Sequence, residues 1–238
     1  MKAVVLAGGK GSRLKPYTMV LPKPLMPIGD MPILELVVRQ LVGCGIEDIV
    51  ITVGHLGSLI ETFCGDGSQF GARITYARED KPLGTIGPLA MIDDLGDRFL
   101  VMNGDLLTDF DYARLAAFHQ GHGGILSVAT TTRAVKINYG VISSPGVETA
   151  IATFTEKPTL DYQVSMGIYC MSRAILSHIP QGQAFGFDHL MHKLMAARIP
   201  VHQFRYEGKW FDIGIKDEYE AAESEFTRSR DLFIKATP

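Results

Sequence analysis

Cysteine, tryptophan, long apolar runs and excess positive charge are all scarce in this chain, and each scarcity removes a class of function. Cys44, Cys64 and Cys170 are the 3 cysteines among 238 residues. An odd number without metal-like spacing suits reduced, buried thiols rather than a disulfide framework or a zinc site. The net charge of −3 gives no overall basic field for RNA or DNA, so positive charge matters only where it is concentrated. The N-terminal apolar stretch is too short to cross a membrane, and glycines and charges follow it at once, unlike a secretory leader. The expectation is a cytoplasmic protein whose partners include neither nucleic acid nor membrane. The 7 histidines, His55, His119, His122, His178, His189, His192 and His202, show neither metal-protease spacing nor a serine partner. Trp210, the only tryptophan, is expected to pack beside Asp212 rather than to read a base.

What is present is an ordinary core: 46% hydrophobic and 21% charged residues suffice for one domain or a domain with an inserted lobe. Strand-like and helix-like stretches alternate in the first half, the pattern of a mostly parallel sheet with helices on both faces. Strands are expected at 2–7, 48–53, 72–77 and 98–103, with helices from Pro32 through Leu41 and at about 57–64. Beyond residue 124 strands dominate, at 125–131, 139–142, 149–155, 164–171 and 201–206, among helices near 172–178, 187–197 and 216–226. This half reads as a small β-rich substrate lobe, and 227–238 as a tail that frays or packs loosely. No repeat, low-complexity tract or linker interrupts the chain.

The first strand runs straight into Gly8-Gly9-Lys10-Gly11-Ser12-Arg13-Leu14-Lys15-Pro16. Glycines bring backbone N–H groups up to an anion, and Lys10, Arg13 and Lys15 add positive charge, so a polyanion such as a nucleoside triphosphate is the expected ligand. The two common glycine motifs do not fit. A Walker A loop needs Ser or Thr directly after its lysine, where Gly11 stands. A dinucleotide fingerprint needs glycine where Leu14 stands and an acid ending a second strand, whereas Asp30 lies in a turn. Lys23 follows between Pro22 and Pro24, which restrict where its ammonium points. Asp105 lies just beyond a strand's carboxyl end, where open α/β sheets bind ligands. With Asp212 it could share one Mg²⁺, an ion content with few carboxylates when water and phosphate complete its shell. Glu156-Lys157-Pro158 repeats the presentation of a charge before proline. Each feature also has a plainer reading: a bland loop, a solvated lysine, an Asx cap, a salt-bridged turn.

Taken in order, Leu6 through Leu14, Pro22-Lys23-Pro24-Leu25, Asn103-Gly104-Asp105, Glu156-Lys157-Pro158 and Trp210-Phe211-Asp212-Ile213-Gly214 resemble the sugar-1-phosphate nucleotidylyltransferases. Pro82-Leu83-Gly84-Thr85-Ile86-Gly87 is similar to that family's base- and sugar-side loop. The resemblance implies a Rossmann-like, mostly parallel mixed sheet flanked by helices, the nucleotide-diphospho-sugar transferase fold. It implies one nucleotidyltransferase domain over 1–226, with a nucleotide-binding half at about 1–123 and a sugar-phosphate-binding half at about 124–226. Leu6, Ala7, Gly8, Gly9, Lys10, Gly11, Ser12 and Arg13 would wrap the triphosphate, with Arg13 and Lys23 on its phosphates. Gly84 and Thr85 would line the nucleoside side, with Asn103 and Gly104 also nucleotide-binding. Gly140, Glu156 and Lys157 would meet the sugar phosphate along with Asp105, while Asp105 and Asp212 would hold Mg²⁺. Arg13, Lys23 and Asp105 would be the catalytic residues.

The implied reaction joins two anions, so the site must cancel their repulsion before a sugar-phosphate oxygen attacks the α-phosphorus and pyrophosphate departs. That need explains lysine, arginine and aspartate without a Ser–His pair. The stretches 65–71 and 79–85 are most similar to the branch using GTP with mannose- or heptose-type 1-phosphates. The chain's length suggests one activity without an appended acyltransferase β-helix. Rival expectations are a UTP, dTTP or CTP enzyme acting on a glucose-type or non-sugar phosphate, and a silent nucleotide-sugar sensor. Assembly into homo-oligomers is left open.

Overall fold

Seven strands form the central sheet in the order β12-β8-β11-β6-β1-β4-β5. The computed structural model describes residues 1–144, 146 and 149–234. β1 (Lys2–Leu6) lies inside the sheet with Ala3, Val4 and Val5 fully buried, as an unbroken apolar run requires of a parallel strand covered on both faces. After the two-residue strands β2 (Pro27–Ile28) and β3 (Met31–Pro32), α1 (Ile33–Gly43) leads to β4 (Asp48–Val53). α2 (Gly57–Cys64) then leads to β5 (Arg73–Arg78), and both β4 and β5 extend the sheet on one side in parallel. The chain next crosses to the other side of β1, where β6 (Arg98–Asn103) pairs with it in parallel. Strand order therefore reverses at β1, the kind of point at which open sheets hold ligands beyond their carboxyl ends.

The short strand β7 (Leu106–Thr108) and α3 (Tyr112–His122) precede β8 (Leu126–Lys136). A hairpin of β9 (Val141–Ser143) and β10 (Thr153–Thr155) leads to the long β11 (Thr159–Ser172). β11 runs antiparallel to both β6 and β8, making the sheet mixed. α4 (Phe187–Ala196), β12 (His202–Arg205), β13 (Trp210–Asp212) and α5 (Lys216–Phe233) complete the chain. Alternate residues of β1 feed two apolar cores: Ala3 and Val5 join α1 and α5 on one face, and Val4 joins Leu190 and Leu194 of α4 on the other.

Several boundaries differ from expectation. The strand expected at 149–155 is confined to Thr153–Thr155, and its neighbourhood at 145, 147 and 148 lies outside the described residues. α3 was not expected at all, because its sequence does not segregate apolar from polar faces; Asp111 starts it by accepting from the N–H groups of Ala113 and Arg114 at 3.0 and 3.2 Å. The segment expected to fray from 227 is a correction: α5 continues to Phe233, which is 1% exposed. Burial of Phe226 and Phe233, on either side of a kink at Ser229, outweighs the polar composition of α5, while 235–238 lie outside the described residues.

Candidate active site

The glycine-rich loop leaves β1 at the carboxyl edge of the sheet and folds back on itself. Gly11 is left-handed, with φ +58°, and a Cβ there would stand 2.8 Å from Thr18 Cγ2. Thr18 Oγ1 closes the turn by donating to the Gly11 carbonyl at 2.8 Å. Lys23 follows the extended Pro22 and opens a short 3-10 turn. It is 9% exposed, so the solvated-lysine reading does not hold. Its ammonium pairs with Asp105 Oδ2 and lies 3.8 Å from Asp212 Oδ1.

Two strand registers bring these acids together. Leu6 lies opposite Asn103 in the β1–β6 ladder, and the Gly104 N–H donates to the Leu6 carbonyl at 2.9 Å, which sets Asp105 beside the loop. β13 runs antiparallel to β7 with Asp212 opposite Leu106, and the Ile213 N–H donates to the Asp105 carbonyl at 3.2 Å. Arg13 lies over the turn after Asp212: a Cβ on Gly214 would stand 3.2 Å from its guanidinium. Burial raises the Asp105 carboxyl above its ordinary range and nearby Asp212 adds to this, while Lys23 pulls it down. Asp105 Oδ1 is buried without a hydrogen-bond partner.

A cavity of about 680 Å³ opens above these strand ends. Of the expected site residues, Leu6 through Arg13, Lys23, Gly84, Thr85, Asn103 and Asp105 line it. Gly104 and Asp212 reach it only through their neighbours Leu6 and Lys23. Gly140, Glu156 and Lys157 do not line it and form a separate cluster at the end of the β9–β10 hairpin. There the Lys157 N–H donates to the Tyr139 carbonyl at 3.2 Å, and Lys157 Nζ lies 3.5 Å from Glu156 Oε1 with both side chains more than half exposed.

Thr52, Gly54, His55, Glu79, Asp80 and Lys81 are not among the expected site residues, yet all line the cavity. The available signal was the exit of the second parallel strand, where Gly54 follows Val53 as Gly8 follows Ala7. A Cβ on Gly54 would stand 2.8 Å from the Gly8 carbonyl oxygen, so glycine permits the two strand exits to approach. Glu79 lies just beyond β5, accepts from the Leu83 N–H at 2.9 Å and has its carboxyl pKa raised by burial. Trp210 packs against the core, donating to the Met166 carbonyl at 3.0 Å beneath the Arg133 guanidinium. Burial pushes the Cys64 and Cys170 thiols up to about 12, which makes them poor nucleophiles.

Among the described residues no three His, Cys, Asp or Glu side chains gather to hold a metal. The Asp105–Asp212 pair nevertheless has the donor chemistry for Mg²⁺: two hard carboxylates, one with an unpartnered oxygen, beside a cavity able to admit phosphate oxygens. Also among the described residues, no helix is long and apolar enough to cross a membrane.

The sequence profile of the Nucleotidyl transferase family matches residues 2–229. The chain belongs to that family. Among relatives of this nucleotidyl transferase, a mannose-1-phosphate guanyltransferase of Schizosaccharomyces pombe is 33% identical over 227 residues, covering 92% of this chain and 62% of the relative. A UTP–glucose-1-phosphate uridylyltransferase of Synechocystis is also 33% identical, over 240 residues, covering 92% of this chain and 61% of the relative. The chain thus spans about three-fifths of these relatives' length. A solved Bacillus anthracis protein, provisionally assigned as a glucose-1-phosphate thymidylyltransferase and in complex with sucrose, is 27% identical with a TM-score of 0.75 over 94% of each chain. The nucleotide-diphospho-sugar transferase fold is thereby that of this nucleotidyl transferase.

Proposed function

We propose that the chain is a sugar-1-phosphate nucleotidylyltransferase, joining a nucleoside triphosphate to a sugar 1-phosphate and releasing pyrophosphate. The observation that carries this reading is the convergence of the glycine loop, Arg13, Lys23 and Asp105 on one cavity, with Asp212 Oδ1 3.8 Å from the Lys23 ammonium. Lys10, Arg13 and Lys23 offset the charge of two anions, so that the sugar-phosphate oxygen can approach the α-phosphorus and the bond to pyrophosphate can break. No protein nucleophile is required, consistent with the buried Cys64 and Cys170 thiols. A bound Mg²⁺ would supply further charge neutralisation on the phosphates, held by Asp105 and Asp212. Gly140, Glu156 and Lys157 are assigned to the sugar phosphate from the strand-rich lobe.

GTP with a mannose- or heptose-type 1-phosphate is the preferred substrate pair. Glu79 supports the base: a carboxylate beside Gly8 can accept from both the N1–H and the N2 amino group of guanine. Uracil and thymine offer only one ring N–H, flanked by two carbonyl oxygens that the carboxylate repels. The guanyltransferase relative supports the same choice, and the uridylyltransferase relative favours UTP with glucose 1-phosphate as the second reading. The test is pyrophosphate release with Mg²⁺ across GTP, UTP, dTTP, CTP and ATP, each paired with mannose, heptose, glucose and N-acetylglucosamine 1-phosphates. Release from the GTP pairs is the expected outcome; release from UTP and glucose 1-phosphate alone establishes the second reading, and silence with every pair overturns both.

A further inference from the structure

Lys23 already places a cation within ion-pair distance of both acids. Its ammonium pairs with Asp105 and stands 3.8 Å from Asp212, with only 10% of the side chain exposed. Among the described residues no other cationic side chain forms an ion pair with either acid. We propose that Lys23 is an internal cation that competes with the divalent metal for Asp105 and Asp212, and that its transfer to the triphosphate clears the metal site. Metal and triphosphate then bind cooperatively. This inference rests on reading the two acids as metal-binding.

The electrostatics run in one direction. With no metal, the ammonium offsets two carboxylates at partly buried positions, and removing it leaves them uncompensated. A divalent ion arriving while the ammonium stays in place meets a like charge at contact distance, which opposes binding. Lys23 also lines the cavity, and its Cβ lies against the glycine loop, 3.2 Å from where a Gly11 Cβ would stand. Its flexible four-carbon stem therefore has a second anionic partner within reach only when a triphosphate fills the loop. The metal site is thus weak in the free protein and strong once the triphosphate has drawn Lys23 away.

The test is Mn²⁺ binding to the metal-free full chain without nucleotide at about pH 8, followed by the paramagnetic resonance of free Mn²⁺. Wild type, Lys23→Met and Lys10→Met are compared. Lys10→Met removes the same charge from the same cavity without contact to either acid, and so measures the through-space effect. Lys23→Met is expected to bind Mn²⁺ about tenfold more tightly than wild type, with Lys10→Met within about twofold of wild type. Equal affinity in wild type and Lys23→Met, or an equal gain in Lys10→Met, overturns the competition while leaving the acids as the metal site. Absence of Mn²⁺ binding in all three overturns the metal reading as well. Should Lys23→Met fail to fold, wild type answers through acetic anhydride labelling read by mass spectrometry. Saturating Mg²⁺ is expected to raise Lys23 acetylation several-fold, and unchanged labelling overturns the proposal.

Discussion

Asp105 combines an enclosed, unpartnered oxygen with a second oxygen held by Lys23, and each half of that arrangement suggests a different experiment. Asp105→Asn keeps the shape and removes the charge, so turnover is expected to fall by a hundredfold or so while the thermal transition remains cooperative. A folded variant with near-normal pyrophosphate release would take Asp105 out of the mechanism. Lys157 is the opposite kind of residue, exposed and remote from the cavity lining. Lys157→Ala is expected to raise the KM for sugar 1-phosphate several-fold and leave triphosphate affinity unchanged; weakened triphosphate binding instead would contradict its assignment to the acceptor.

At the scale of elements, α5 acts as a brace for the segment that carries Lys23. The Tyr219 hydroxyl donates to the Pro27 carbonyl at 2.8 Å, and Glu223 accepts from the Gly29 N–H at 2.8 Å. Arg230 pairs with Asp30 at 2.6 Å, which adds little at an exposed site. Apolar packing contributes more: Phe226 lies against Gly29, and Phe233 packs near it with ring centroids 5.9 Å apart. Gln40 of α1 donates to the carbonyls of both Phe233 and Thr108, tying the helix end to β7. Phe233→Ala is therefore expected to destabilise the fold by about 3 kcal/mol, measured from the denaturant midpoint. A change near zero would show that the end of α5 contributes little to the core.

For the molecule as a whole, pH tests how the sheet's second half is packed. His119 of α3 is 1% exposed, with Nδ1 2.9 Å from Ser127 Oγ on β8 and Nε2 2.9 Å from Ser172 Oγ at the end of β11. Burial lowers its pKa to about 4, and the nearby charges of His122, Arg98 and His202 act in the same direction. Between the unfolded value near 6.5 and the folded value of about 4, the unfolded chain binds a proton that the folded chain refuses. Stability is thus intact above the unfolded value and lost as pH falls, at up to about 1.4 kcal/mol per pH unit from this group. His119→Gln is expected to flatten that slope in unfolding curves between about pH 4 and 6.5. An unchanged slope would place the acid sensitivity elsewhere.

Local structure was legible from the residues themselves. An apolar run with glycines directly after it announces a buried strand and a tight loop, and the alternation of strand-like and helix-like stretches announces the sheet. α3 was not legible, because its burial comes from packing against β8 and β11 rather than from an amphipathic pattern. Nor were Glu79 and His55, which gain their place at the cavity only when β4 and β5 are laid beside β1. The pairing of Lys23 with both acids depends on two ladders, β1 with β6 and β7 with β13, formed by segments far apart in the chain. Spacing along a sequence encodes turns and periodicity, which are local. Which carboxylate meets which ammonium is set by strand register, and register is a property of the assembled sheet.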